Sequence, residues 1–359
     1  MRFLHKLTHR PFFIRLFHWD YWSFNALYGP IYIYWVWLFV KTRSFFFFNT
    51  ANPTIKNGGF LMESKKEIYD LIPQQYYPAT LYFDTNITGE ELLSQVQKRG
   101  IRFPAIAKPD IGMRGLGVQK LDTPQQLLQY ARASKVPFLV QDYVPYEQEA
   151  GIFYYRYPGE TTGYISGIVG KELLTVTGDG KSTMEALIKK NKRFILQLPV
   201  LTETLGSKAL QQVLADKEQQ LLIPYGNHAR GAKFTDDSHL IDKQLTKVID
   251  DFCRQVPGFY FGRLDIRYES WEALREGRNF SVIELNGAGS EPTHIYDPKH
   301  SVFFAWKEII RHWNILWKIS KLNHTVQQLP YMSFASGMQM FKENKRYVQL
   351  LTEQTVTVC

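Results

Sequence analysis

Cysteine is scarce in this chain of 359 residues, which contains only Cys253 and Cys359. Two cysteines cannot build the disulfide framework of a small secreted protein, so a reducing compartment is expected. The sequence also lacks internal repeats, low-complexity tracts and the Cys/His spacing of a structural zinc site. These absences exclude the repeat, zinc-finger and disulfide-rich classes. A hydrophobic content of 45% is enough for one large core or two lobes.

Acidic residues are scarce at the start of the chain. The first fifty residues hold six Lys or Arg residues against one acid, Asp20, in a protein of net charge +9. No recognisable nucleic-acid-reading motif gathers this charge, so no nucleic-acid partner is expected. Aromatic residues are abundant instead, since 17 of the 38 residues from Pro11 to Phe48 are Phe, Trp or Tyr. A soluble surface does not carry such a density without a partner surface.

The aromatic segment contains a charge-free run from Tyr21 to Val40, which is long enough to raise the possibility of a transmembrane helix. Gly29-Pro30 interrupts this run. The uninterrupted part, from Ile31 to Val40, would cross only about half of a bilayer core as a helix. Trp and Tyr prefer the headgroup zone, and basic residues are drawn to anionic lipid. We therefore predict an interfacial or re-entrant anchor.

This anchor would place a cytoplasmic protein peripherally on the inner face of the cytoplasmic membrane, with an anionic membrane surface as partner. The alternative is that the aromatic side chains pack on the rest of the protein as an added core layer. Ile31 to Val40 also fits a β-strand, because alternation and β-branching are compatible with either structure. A secretory signal is disfavoured, since the segment has no small-residue cleavage site.

The segment Phe261–Pro292 has the pattern of two strands joined by a polar loop. The first strand carries Arg263 and Asp265, and the second carries Glu284 and Asn286. Because side chains repeat every two residues along a strand, each pair shares a face, and neighbouring strands would bring all four together. Oxygen ligands of this kind suit Mg²⁺ held together with substrate phosphates. The alternatives without a metal-binding role are a surface ion pair on the first strand and a turn-capping pair on the second.

A glycine-rich segment upstream supplies a phosphate-binding candidate. Lys108 lies on a short apolar strand that ends at Pro109, and a flexible stretch containing Gly112, Gly115 and Gly117 follows. Glycines let backbone N–H groups approach phosphate oxygens, and the lysine adds a point charge. The spacing matches neither a Walker loop nor a Rossmann fingerprint. It predicts a strand–loop–strand flap over a triphosphate, unless Lys108 is simply the end of a strand.

In their order along the chain, these motifs resemble the ATP-grasp family, in particular its D-alanine–D-alanine ligase and cyanophycin synthetase branches. The resemblance covers Ser64 to Pro298. It is carried by AKPDIGMRGLGV, FLVQDYVPYEQEA, GDGKSTMEALI, GNHARGAKFTDD, GRLDIR and IELNG. It implies an α+β protein of ATP-grasp fold, with two α/β lobes clasping ATP. The aromatic N-terminal extension, which we predict to be helical, is a departure from the family. The family's usual N-terminal βαβ domain has no counterpart here.

The resemblance also implies how ATP is held. It assigns the phosphates to Lys108, Gly112, Gly115 and Gly117. Arg114 is bulkier than the family's usual flap residues and would close onto either the γ-phosphate or the acceptor carboxylate. The adenine would lie against the hinge residues Gln141, Asp142, Tyr143 and Val144. The ribose hydroxyls would bind Glu149, with Glu147 as the fallback. Since the βαβ domain is missing, the family's first nucleotide lysine is matched only by the candidates Lys65 and Lys66.

The metal and catalytic roles follow from the same resemblance. Asp265, Glu284 and Asn286 correspond to the ligands of two Mg²⁺ ions. Arg263 corresponds to the arginine that stabilises the acyl phosphate or the tetrahedral intermediate, and Lys108 acts beside it. Arg230 lies in the segment that faces the substrates in similar enzymes, so it is expected either to contact a substrate carboxylate or to be simply solvated.

The predicted activity is therefore that of an ATP-dependent carboxylate–amine ligase, which forms an amide through an acyl phosphate. Its partners would be ATP, a carboxylate and an amine, with a membrane-associated substrate suggested by the aromatic segment. An ATP-dependent kinase and a membrane-bound nucleotide sensor remain the alternatives. The predicted regions are the extension (1–60), an N-lobe with the flap (61–143), a C-lobe with the metal site (144–325) and a C-terminal tail (326–359).

Overall fold

The structure is a computed structural model, and it describes residues 13–14, 18–112, 115–223 and 231–358. Three residues named above, Arg114, Arg230 and Cys359, lie outside the described residues.

The regular elements alternate between helices and short strands. The α-helices are α1 (Phe24–Tyr28), α2 (Tyr32–Thr42), α3 (Lys65–Leu71), α4 (Gly89–Arg99), α5 (Pro124–Ala133), α6 (Met184–Lys190), α7 (Lys192–Ile195), α8 (Leu198–Leu210), α9 (Lys243–Cys253), α10 (Trp271–Arg275), α11 (Val302–Val326) and α12 (Phe334–Val358). The strands are β1 (Thr80–Phe83), β2 (Ala105–Pro109), β3 (Gln119–Leu121), β4 (Phe138–Asp142), β5 (Gln148–Tyr155), β6 (Tyr164–Glu172), β7 (Leu174–Thr177), β8 (Gln219–Ile223), β9 (Lys233–Asp236), β10 (Phe261–Tyr268) and β11 (Phe280–Asn286). The predicted α+β class is confirmed.

The chain divides into two compact units. The smaller unit is formed by 1–32, 169–236 and 293–308, and the larger by 33–168, 237–292 and 309–359. In the smaller unit, β7 and β8 pair antiparallel, and the end of β6 pairs with β9. Helices α6 and α8 pack on the first of these pairs through Ile188, Leu201 and Leu210.

The larger unit contains an antiparallel sheet in the order β1-β4-β2-β3. Leu92 and Val96 of α4 and Leu127 of α5 pack against Phe138 and Val140 of this sheet. Helix α4 begins at Thr88, whose hydroxyl caps the N–H of Glu91, and ends at Gly100 in the left-handed conformation. This sheet with its two helices carries the glycine-rich segment.

The same unit contains a second antiparallel array, in which β10 lies between β5 and β11. Its apolar face packs on α9 and α3, through a cluster that includes Leu245, Ile249, Phe252 and Ile68. A short hinge, residues 143–147, joins β4 of the first sheet to β5 of the second. Two α/β lobes connected by a hinge are the arrangement that the resemblance implies.

Within its described residues, the aromatic extension is helical, as predicted, and helix α2 has two different faces. Leu38 is fully buried, and Trp35 packs on Phe47 and Trp313 with ring centroids 5.0 and 5.1 Å away. On the opposite face, Ile33 is 79% exposed. Among the described helices, none combines the length and the apolar character that crossing a bilayer requires.

The end of the extension is joined by hydrogen bonds to the region of strands β10 and β11. The fully buried Asn52 donates to the carbonyls of Gly58 and Phe261, and its side-chain oxygen accepts from the N–H of Phe261. The N–H of Gly289, in the loop after β11, donates to the carbonyl of Gly59 at 2.8 Å. The extension therefore braces the start of β10 and the loop that follows β11.

We predict that Gly59→Ala destabilises the protein more than Gly100→Ala. Both glycines have left-handed backbone, with φ of +76° and +78°, a conformation that costs about 1–3 kcal/mol for other residues. A Cβ at Gly59 would lie 2.6 Å from the Cα of Gly287, whereas at Gly100 it would meet no described atom within 4 Å. Urea unfolding of the two variants measures the difference. Equal losses of unfolding free energy would contradict this account of the contact.

Candidate active site

Strands β10 and β11 bring the four predicted polar residues together. They pair antiparallel, with Arg263 opposite Asn286 and Asp265 opposite Glu284. The Arg263 guanidinium donates to both oxygens of Asp265, from Nε at 3.1 Å and from Nη2 at 2.8 Å. The Asn286 amide donates to the Oδ2 atom of Asp265 at 3.2 Å. The predicted adjacency is observed, on the strand face expected for a two-residue repeat.

A β-bulge lies directly beside these residues. Asp265 pairs with Glu284, but the next residue, Ile266, pairs with Val282, which leaves Ile283 as the extra residue. A bulge frees backbone groups from the ladder and re-aims them. The freed carbonyl of Ile283 accepts hydrogen bonds from the Tyr69 hydroxyl at 2.5 Å and from Lys108 Nζ at 3.1 Å.

Lys108 lies deep in the larger unit, at the point where its two sheets meet. Its Nζ atom also donates to the Tyr69 hydroxyl and to the side-chain oxygen of Gln141, both at 2.9 Å. Burial lowers the pKa of Lys108 to about 7, although the carboxylate of Glu284 opposes the shift. An anion beside this buried ammonium group would favour its charged form.

Lys65, at the first position of α3, reaches the same place. Its Nζ atom lies 3.1 Å from Glu284 Oε1. A Cβ added at Gly112 would lie 3.5 Å from the same Nζ atom. Burial alone would raise the pKa of Glu284, but Lys65, together with Lys108 and Arg263, holds it below its usual range. Lys66 instead forms an exposed helical ion pair with Asp70. Of the two candidate lysines, only Lys65 lies at the site.

The start of α3 is fixed to the base of the flap by Asp110, a residue that the sequence did not single out. Its carboxylate accepts from the Ser64 hydroxyl at 3.0 Å and from the backbone N–H of Lys66 at 2.9 Å. Its carbonyl accepts from the N–H of Lys65. This capping arrangement satisfies helix N–H groups and sets the position from which Lys65 projects.

The flap has the predicted strand–loop–strand form, because β2 and β3 pair antiparallel on either side of the glycine-rich segment. Gly115 and Gly117 both have a φ of +73°, a conformation that glycine adopts without strain. A Cβ at Gly117 would lie 2.8 Å from a ring carbon of Pro109, so only glycine fits there. Arg114, in the same glycine-rich segment, is outside the described residues.

The hinge residues adjoin this site. The side chain of Gln141 bridges Lys108 and the Thr80 hydroxyl, so it orients the lysine, while the backbone N–H of Asp142 donates to the carbonyl of Ala79. Tyr143 and Val144 lead from β4 toward β5. Of the two acids proposed for the ribose, Glu149 is directed inward with its side chain 10% exposed, whereas Glu147 is exposed.

Three further residues of the site were not predicted from the sequence. Tyr69 lies on α3, and its role depends on a strand far away in sequence. Arg267, two residues beyond Asp265, contacts the hinge and Glu149. Glu63 has a buried Oε2 atom that no described donor reaches, and burial raises its pKa. For these three residues, the one sequence feature that pointed to the site was the two-residue spacing that puts Arg267 on the strand face of Arg263 and Asp265.

The donor set fits a hard divalent cation. Two carboxylates and one amide, on facing positions of two strands, are the oxygen donors that Mg²⁺ takes. Arg263 and Lys65 already lie against Asp265 and Glu284, so positive charge is stabilised there. Within the described part of the chain, no cluster of three or more His, Cys, Asp or Glu side chains is arranged to hold a metal ion.

No family model and no curated protein matches this sequence. Among solved structures, the chain is similar to a bifunctional glutathione synthetase from Pasteurella multocida, at 14% identity and a TM-score of 0.37, over 72% of this chain and 38% of that one. It is also similar to a D-Ala:D-Ser ligase from Enterococcus faecalis, at 12% identity and a TM-score of 0.39, over 72% and 60%.

A D-cycloserine synthetase is a third similar structure, at 10% identity and a TM-score of 0.40, over 69% of each chain. The match spans less than two thirds of the length of the glutathione synthetase and of the D-Ala:D-Ser ligase. With TM-scores below 0.5, likenesses of this degree do not define an activity. The side chains described above must carry that inference.

Proposed function

We propose that this protein is an ATP-dependent carboxylate–amine ligase. The supporting observation is that two clusters meet in the larger unit: Lys108 and Lys65 beside the flap, and Asp265, Glu284 and Asn286 on the two strands. Lys65 and Lys108 provide cations for phosphate oxygens, and the carboxylates provide ligands for a hard metal ion. Such a set suits the transfer of a phosphoryl group, where catalysis is mostly positioning and charge neutralisation.

The proposed reaction has two steps. A substrate carboxylate oxygen attacks the γ-phosphorus of ATP, the bond to the ADP oxygen breaks, and an acyl phosphate forms. The nitrogen of an amine then attacks the acyl carbon, phosphate leaves, and the nitrogen loses a proton as the amide forms. Arg263 would stabilise the oxyanion of this second step, because its guanidinium is held at the site by Asp265. Arg230 would hold a substrate carboxylate.

Lys108, Lys65 and the flap would bind the phosphates, while the hinge and Glu149 would bind the nucleoside. Asp265, Glu284 and Asn286 would hold Mg²⁺, as two ions by the resemblance, whose chemistry there is to neutralise phosphate charge. Arg114 would close onto the γ-phosphate or the acceptor carboxylate. Substitution of the individual residues tests each of these assignments separately.

The experiment that tests the activity measures release of ADP and phosphate by the purified protein with Mg²⁺-ATP. Pools of carboxylates and amines are supplied separately and together. ADP release that requires both a carboxylate and an amine is the expected result. Phosphate retained on a hydroxyl product would identify a kinase instead. Tight ATP binding without turnover in any pool would favour the nucleotide sensor and contradict the ligase.

We further propose that the protein acts at an anionic membrane surface on a membrane-associated substrate, from the cytoplasmic side. The exposed face of α2 supports this, because Ile33, Val36, Trp37 and Val40 recur at helical spacing on the side opposite Leu38. Lys41 lies 4.2 Å from the Trp37 ring, which places a basic group beside an indole at the edge of this stripe. Apolar residues bordered by Trp and Lys are typical of interfacial helices.

We expect the double variant Ile33→Gln, Val40→Gln to bind phosphatidylglycerol-containing vesicles at least tenfold less tightly. Burial of each aliphatic side chain in lipid contributes roughly 1.5–3 kcal/mol. Because the two side chains are 79% and 63% exposed, their replacement leaves the packed face of α2 intact. Vesicle co-sedimentation measures the change.

Val326→Gln is the matched control, since Val326 is 70% exposed at the end of another helix, α11. Equal vesicle binding by wild type and the double variant would contradict the proposal. Deletion of 1–48 is the poorer experiment, because it would also remove Leu38 and Phe46–Phe48, which belong to the core.

A further inference from the structure

The guanidinium of Arg267 contacts several residues of the hinge. It lies on β10, two residues beyond Asp265, with its side chain 15% exposed. Its Nη1 atom is within hydrogen-bond distance of the Val144 carbonyl at 3.1 Å and of the Tyr146 carbonyl at 3.4 Å. Its Nε atom lies 3.7 Å from Glu149 Oε2. One guanidinium thus contacts both ends of the segment that links the two sheets.

The chemistry of the group explains why it is an arginine. A guanidinium is planar and has five N–H donors in a fixed fork, so it can serve two carbonyls and a carboxylate at once. It also lies 5.5 Å from the ring of Tyr143, whose hydroxyl is 3.4 Å from Nη1. A lysine has a single ammonium and cannot span these groups. The partial burial of both charges distinguishes this pair from exposed ion pairs, which contribute little.

We infer that Arg267 is a positioning residue, which sets the hinge and the Glu149 carboxylate for the nucleoside half of ATP. The inference rests on the proposed function. Because Arg267 shares its strand with Asp265, the same element would align the nucleoside site and the phosphate-binding site. Loss of the guanidinium would release the Val144 carbonyl and leave Glu149 without this cation. The phosphate contacts of Lys65 and Lys108 would be untouched.

The test compares ADP with inorganic tripolyphosphate, both with Mg²⁺, as ligands of Arg267→Ala and Arg267→Lys in calorimetry. We expect the Kd for ADP to rise about tenfold or more, as for loss of charge-assisted hydrogen bonds, and the Kd for tripolyphosphate to stay within about twofold. In turnover, KM for ATP should rise while kcat at saturating ATP changes little. A purely structural role would instead weaken both ligands and lower kcat.

A double-mutant cycle with Glu149→Gln tests whether the two residues act together. Non-additive losses in ADP affinity are expected, because each change removes one side of the same contact. Arg278→Ala is the matched control, since Arg278 is an exposed arginine of the same unit that pairs with Glu276. If Arg267→Ala does not fold, Arg267→Lys and the cycle built on it decide.

Equal weakening of ADP and tripolyphosphate, or strictly additive losses, would overturn the inference. An unchanged Kd for ADP in Arg267→Lys and Arg267→Ala would do the same while leaving the ligase proposal intact. A wild-type protein that binds neither ligand would overturn both. The two failures are therefore distinguishable by the wild-type titration alone.

Discussion

Asp265→Asn and Glu284→Gln should each lower turnover by on the order of 10³-fold or more, while the protein remains folded. Each change keeps the shape of the side chain and removes one negative charge. In Asp265→Asn, the amide oxygen can still accept a hydrogen bond from Arg263, which in the wild-type protein holds the carboxylate through two contacts. What is lost is the charge needed to hold a divalent cation against phosphate oxygens.

ADP release under saturating Mg²⁺-ATP measures this effect, and circular dichroism with thermal melting reports on the fold. Asp251→Asn is the control, because the exposed Asp251 carboxylate pairs with Lys247 on the surface of α9. Near-normal turnover in both site variants would refute the assignment of these carboxylates to metal binding. Turnover lost together with the fold would mean that the pair is structural.

Lys65→Met is expected to lower turnover by on the order of 10²-fold, whereas Lys66→Met should stay within about twofold of wild type. The two lysines are neighbours in sequence, but successive residues of a helix point about 100° apart. Lys65 contacts Glu284 with its side chain 14% exposed. Lys66 pairs with Asp70 at the surface and is 42% exposed.

Steady-state kinetics with varied ATP separates the contributions of Lys65 to KM and to kcat. The two variants carry the same chemical change one residue apart, so each is the control for the other. Equal losses in both would show that the local helix, and not the position of the ammonium group, controls activity. A normal rate for Lys65→Met would remove Lys65 from the phosphate site.

Much of the candidate site could be predicted because its chemistry lies within short segments. The alternation of Arg263 with Asp265, and of Glu284 with Asn286, is enough to place each pair on one strand face. The glycines near Lys108 predict a flap in the same way. The contributions of Tyr69 and Arg267 could not be predicted, because their partners, Ile283 and the hinge, are distant in sequence.

For the aromatic extension, the sequence could not decide between two alternatives. Its composition predicts either a membrane contact or an added core layer, and both alternatives use the same residues. In the structure, α2 buries Leu38 in the core and exposes Ile33, and a membrane contact of the exposed face stays a proposal. Hydrophobic periodicity could not show which side of the helix is buried and which is exposed, because nearly every position in Ile31 to Val40 is apolar.

The sequence by itself determined the strand pattern of the Phe261–Pro292 segment and the residue types that suit a phosphate and metal site, because local patterning and side-chain chemistry are written in short segments, and the order of its motifs gave the resemblance that implied the α+β class. Only the tertiary structure decided that Lys65 rather than Lys66 reaches Glu284, that a bulge turns the Ile283 carbonyl toward Lys108, and that Gly59 packs on Gly287. Those outcomes depend on strand register and on backbone approach between distant segments. Neither quantity is encoded by any single stretch of the chain.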